Sequence, residues 1–129
     1  MVKFGYTIYY VLDVIKTIEF FENSFGFKRK FVFEDNSYAE LETGSTVLAF
    51  SLENNVRESF LDDVNFCSKK LIGCEIVLVC EDINKSFSDA ILNGGIEVSK
   101  PEKKPWGQVV GYVKSPTGVL IELCTGVEQ

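Results

Sequence analysis

No histidine occurs among the 129 residues. Neither a Ser/His/Asp nor a Cys/His arrangement can therefore be assembled, since both use imidazole as the base that activates the nucleophile. Chemistry in this chain must come from carboxylates and aromatic rings. Glu40 and Glu42 lie two residues apart in an alternating segment, which puts both on one face of a strand. Tyr38, Phe50, Phe60, Trp106 and Tyr112 are the rings expected at a groove. Walls of this kind suit planar or cationic ligands through stacking and cation–π attraction. Trp106, the only tryptophan, sits between Pro105 and Gly107 just before a strand, where it reads equally as core or as a wall of the groove. Phe60 falls in a polar stretch, and an aromatic on a loop is hard to explain as core. Phe31 and Phe33 read as plain sheet core.

Other chemistries are disfavoured. The four cysteines, at positions 67, 74, 80 and 124, give no CxxC pair, so they read as free thiols rather than a zinc knuckle. Gly94-Gly95 closes a helix instead of opening one, so no phosphate-cradling loop is present. The net charge of −6 and the absence of a basic face argue against nucleic acid. Arg57, Lys103 and Lys104 read as solvated charges. No apolar run approaches the ~18 residues of a membrane span, and the N-terminal residues lack a signal-peptide hydrophobic region. The expectation is a soluble cytoplasmic protein.

The elements that would position these residues occur twice. Asp13 to Phe27 matches Asp82 to Ile96 without a gap at an offset of 69 residues, pairing Asp13 with Asp82, Lys16 with Lys85, Thr17 with Ser86 and Gly26 with Gly95. A duplicated supersecondary unit usually packs to form one shared concavity. In the first copy, Tyr6 to Leu12 reads as a strand. Asp13 then caps a helix whose apolar stripe is Val14, Ile18, Phe21 and Phe25, and Gly26 ends it with positive φ. Strands follow at Lys28–Phe33, Tyr38–Glu42 and Thr46–Ser51. In the second copy, Glu75–Cys80 is a strand. Asp82 caps a helix with Ile83, Phe87, Ala90 and Ile91 facing inward, and Ile96–Val98 is a short strand. Lys100–Trp106 reads as an extended loop, and Gln108–Val113 with Val119–Cys124 forms a hairpin over Ser115-Pro-Thr-Gly118. The order βαβββ thus appears in residues 1–52 and again in 73–129, joined by a linker over 53–72.

The two βαβββ units, their paired helix caps and the run Lys104-Pro-Trp-Gly-Gln108, Gly111-Tyr-Val113 and Ser115-Pro-Thr-Gly-Val-Leu-Ile-Glu-Leu123 together resemble the vicinal oxygen chelate superfamily, the glyoxalase, bleomycin-resistance and extradiol dioxygenase group. The resemblance implies an α+β fold of two modules curling into a half-open mixed-sheet barrel, often in a homodimer whose second chain completes the pocket. It implies metal ligands on the first and last strands of each module. Here those positions hold Tyr6, then Leu48 or Ala49, then Glu75 and Glu122. Without histidine, the implied function is a metal-free small-molecule binding protein of the bleomycin-resistance kind, with no cofactor and no catalytic residue, holding an amphipathic or cationic compound with Tyr6, Tyr38, Phe50, Phe60, Glu75, Trp106, Tyr112 and Glu122. The alternative is a lyase or isomerase of the glyoxalase kind, with Glu75 and Glu122 sharing a divalent metal such as Mn²⁺ or Mg²⁺.

Overall fold

The computed structural model describes residues 1–2, 4–52 and 74–126. The expected linker, Phe60 within it, Arg57 and Cys67 lie outside the described residues. Strand β1 (Tyr6–Val11) is followed by helix α1 (Val14–Phe25) and strands β2 (Lys28–Val32), β3 (Tyr38–Glu42) and β4 (Val47–Leu52). The second module repeats the order with β5 (Ile76–Val79), α2 (Ile83–Leu92), β6 (Ile96–Lys103), β7 (Val109–Lys114) and β8 (Leu120–Cys124). The architecture is α+β, with two four-stranded mixed sheets ordered β1-β4-β3-β2 and β5-β8-β7-β6. In each, the first strand runs parallel to the last and the other pairings are antiparallel.

Both helices start as the sequence suggests. The Asp13 carboxylate accepts from the Lys16 N–H at 2.9 Å, and Asp82 accepts from Lys85 at 3.1 Å, each satisfying a backbone donor that no helical carbonyl can reach. The helix ends differ between copies. Gly26 closes α1 in the left-handed region at φ 76°. In the second copy that conformation falls to Gly94, one residue early in the repeat, after an Asn93 cap. Gly95 serves a different need, because a Cβ there would stand 2.7 Å from the Ala90 carbonyl oxygen.

One core spans both modules. Val14, Ile18 and Phe21 of α1 and Ile83, Phe87 and Ala90 of α2 join Leu41, Phe50, Ile121 and Leu123 from the sheets. Ile91, expected to face inward, is exposed instead. Each helix packs on its own sheet and against the other helix. A chain of hydroxyls ties the modules together. Thr17 on α1 meets Thr117 in the β7–β8 turn, and Ser115 of that turn accepts from the Val119 N–H at 2.9 Å. Thr17 and Ser115 are fully buried, so each needs these partners.

The expected short strand and extended loop over 96–106 become one strand as far as Lys103. Pro101 is tolerated because β6 is an edge strand paired only with β7, with its register shifting between Ser99 and Glu102. Opposite it stands Gly111, where a Cβ would lie 3.1–3.2 Å from the proline ring and backbone.

Candidate ligand-binding site

Strand alternation gives each sheet one face toward its helix and one face away from it. The pairing registers line up equivalent rows across the outward faces. In the first module the row is Ile8, Ala49, Glu40 and Phe31, and in the second it is Val77, Glu122, Tyr112 and Ser99. Ala49, not Leu48, is therefore the counterpart of Glu122.

Each outward face carries one phenol–carboxylate pair. Tyr38 donates its hydroxyl to Glu40 Oε2 at 2.7 Å, and Tyr112 donates to Glu122 Oε1 at 2.7 Å. Tyr38 is held above the ordinary tyrosine range by burial and by the Glu40 carboxylate. Tyr112 is pushed up to about 12, first by its hydrogen bond to Glu122 and then by burial. Both phenols thus stay protonated and remain donors at neutral pH. Glu75 precedes β5, and its carboxyl lies above its ordinary value because of burial and the nearby Glu122 charge. The second face therefore brings Glu75, Tyr112 and Glu122 together. The first face brings Tyr6, Tyr38 and Glu40 together with Ile8, Phe33 and Ser37 around a hollow of about 500 Å³. A second hollow, of about 350 Å³, lies where the modules meet, bordered by Thr7, Tyr9, Leu48, Glu75 and Leu78 among others.

The aromatic assignments change in three places. Phe50, expected at the groove, is wholly buried and stacks on Phe21 at 5.2 Å, because it stands opposite Ala39 on the helix-facing side of the sheet. Phe31 and Phe33, expected in the core, are 47% and 46% exposed. Phe31 lies opposite Glu40 and Phe33 lines the hollow. The signal that finds them is hairpin parity, since β2 pairs with β3 over a short turn and Phe31 must share the face of its partner Glu40. Trp106 is 65% exposed between β6 and β7, which overturns its core reading. Its indole N–H bonds Gln108 Oε1 at 2.8 Å, and its ring does not reach the first-module hollow.

A family model of the glyoxalase/bleomycin resistance protein/dioxygenase superfamily matches residues 3–123. The chain belongs to this superfamily. Solved structures of similar fold include a glyoxalase-related enzyme from Fulvimarina pelagi, at 18% identity over 98% of this chain and 89% of that one, with a TM-score of 0.80. A hypothetical protein from S. aureus aligns at 16% identity, 98% and 95% coverage and a TM-score of 0.82. A superfamily member from Sphaerobacter thermophilus aligns at 21% identity, 98% coverage of both chains and a TM-score of 0.70. No functionally curated protein matches the chain.

The superfamily resemblance implies metal positions on the first and last strands of each module. They hold the Tyr6 phenol, the Ala49 methyl group and the carboxylates of Glu75 and Glu122. Glu122 already accepts the Tyr112 hydroxyl. A facial three-donor site needs three strong ligands, and Ala49 supplies none. Among the described residues no three His, Cys, Asp or Glu side chains converge in a way that could hold a metal ion. This donor set does not fit the implied metal.

Proposed function

We propose that this superfamily member is a metal-free binding protein that sequesters an amphipathic or cationic small molecule in an aromatic, acidic groove, as bleomycin-resistance proteins do for their antibiotics. The observation that carries this reading is the donor set. Where the first module would offer a ligand from its last strand stands Ala49, and the second-module carboxylate Glu122 is engaged by Tyr112. What the faces do offer is apolar and aromatic surface with a few carboxylates, which binds by area and charge without making or breaking a bond. Each outward sheet face is one wall of a groove, so the protein is proposed to act as a cytoplasmic homodimer in which a second copy supplies the opposite wall. Tyr6, Tyr38 and Phe33 would come from the first module and Glu75, Tyr112 and Glu122 from the second.

Calorimetric titration of chelator-treated protein with Mn²⁺, Ni²⁺ and Zn²⁺, beside Glu75→Gln, tests the reading. No saturable binding is expected in either protein. Micromolar binding that the substitution abolishes would overturn the proposal and favour a metal-dependent lyase or isomerase.

A further inference from the structure

The carboxylates of the two faces differ in what surrounds them. Glu122 has Glu75 beside it and accepts the Tyr112 hydroxyl. Glu40 stands among rings. Phe33, Tyr6 and Tyr38 line the same hollow, and Phe31 is directly opposite Glu40 on β2. Glu40 is half-buried on an internal strand. One of its oxygens, Oε2, accepts the Tyr38 hydroxyl. The ion pairs among the described residues, Arg29–Glu22, Lys85–Asp89 and Lys104–Glu102, all lie elsewhere, and among the described residues no lysine or arginine lines the hollow.

A half-buried carboxylate without a counter-charge costs solvation free energy that a cation in the hollow would restore. The choice among cations follows from the neighbours. A small hard metal ion needs several oxygen donors, and here there is one carboxylate with a phenol already committed to it. An organic ammonium needs one anion and a wall of π faces, which is what the hollow supplies. Its size, about 500 Å³, is that of a pocket for a drug-sized molecule. An anionic ligand would meet Glu40 with no basic side chain among the described residues of the hollow to offset it.

We infer that Glu40 is the point at which the positive charge of an organic ammonium ligand is held, with the rings of Tyr6, Phe33 and Tyr38 around it. This inference rests on the binding reading proposed above and adds to it the ligand's charge and the residue that selects for it.

Three dyes of similar bulk test it by fluorescence anisotropy at physiological salt: cationic rhodamine 6G, anionic fluorescein and uncharged Nile red. Rhodamine 6G is expected to bind at least about tenfold more tightly than fluorescein. Glu40→Gln, which keeps an acceptor for Tyr38, is expected to remove that preference while Nile red still binds, showing that the variant is folded. Phe33→Leu is expected to weaken rhodamine 6G about threefold or more. Glu97→Gln, an exposed substitution on β6, serves as the charge control and should change nothing. A cation preference that survives Glu40→Gln, or that is lost in Glu122→Gln instead, overturns the inference and leaves the binding reading standing. Nile red binding with no cation preference in the wild type does the same. Failure of all three dyes to bind overturns both.

Discussion

Phe33 and Phe50 carry the same ring and differ in which side of a sheet each one faces. Phe50 is sealed against Phe21 and Tyr9, so Phe50→Ala should cost about 3–5 kcal/mol of folding stability, read by urea unfolding. Phe33→Ala should cost less than about 1 kcal/mol, because the ring is nearly half exposed, and should show its effect in ligand binding instead. Reversal of that order would mean that the sheet faces are wrongly assigned. Glu75 yields a prediction in pH. Its carboxyl titrates above the ordinary glutamate value of 4.5 in the folded chain, owing to burial and Glu122. The folded state thus keeps its proton longer than the unfolded state does, and as pH rises above about 4.5 ionisation of Glu75 costs stability. Glu75→Gln should match the wild type near pH 4 and exceed it at pH 7, by only a fraction of a kcal/mol because the group is largely solvated. A variant less stable than the wild type at pH 7 would contradict the sign.

The elements show what was legible in the sequence and what was not. Local signals held. Asp13 and Asp82 mark both helix starts, the 69-residue offset locates the two modules, and Gly26 adopts the left-handed conformation its position implies. Asp13→Ala and Asp82→Ala should each lower stability by about 1 kcal/mol in thermal melts. Features set by pairing partners were not legible. The length of β6 depends on Gly111 making room for Pro101 from another strand. The facing of Phe31 is set by its partner Glu40 across the β2–β3 hairpin rather than by its apolar character. The repeat also misled in one place. It aligned Gly26 with Gly95, yet positive φ belongs to Gly94, and Gly95 is needed because the Ala90 carbonyl and the Phe20 ring approach it. Gly95→Ala should therefore cost about 1–3 kcal/mol through a backbone clash rather than through φ. A neutral result would show that the α2 terminus can shift. As for the candidate site, its carboxylates and phenols were named from residue type and family position, whereas the central place proposed for Glu40 emerged only once Tyr38, Phe31 and Phe33 were seen on its side of the sheet.

At the scale of the molecule, the helices of both modules and one continuous core hold the chain together, and each sheet leaves its other face uncovered by that core. The β5 edge carries Val77 and Val79, 49% and 71% exposed. In the proposed homodimer this edge is where a second copy would meet the groove. Sedimentation is expected to give twice the chain mass of 14.5 kDa, and Val79→Lys to shift the population toward monomer. A wild-type protein that sediments as a monomer at tens of micromolar would refute the dimer. The division of each strand into a core-facing and an outward-facing set has an evolutionary consequence as well. Changes at Tyr6, Phe33 or Glu40 leave Leu41, Phe50 and Phe21 in place, so the proposed binding surface is free to take up new ligands by nearly neutral drift while selection for folding acts on the scaffold. Structures that share less than a quarter of their residues with this chain yet superimpose along almost all of it are what such uncoupled inheritance would leave behind.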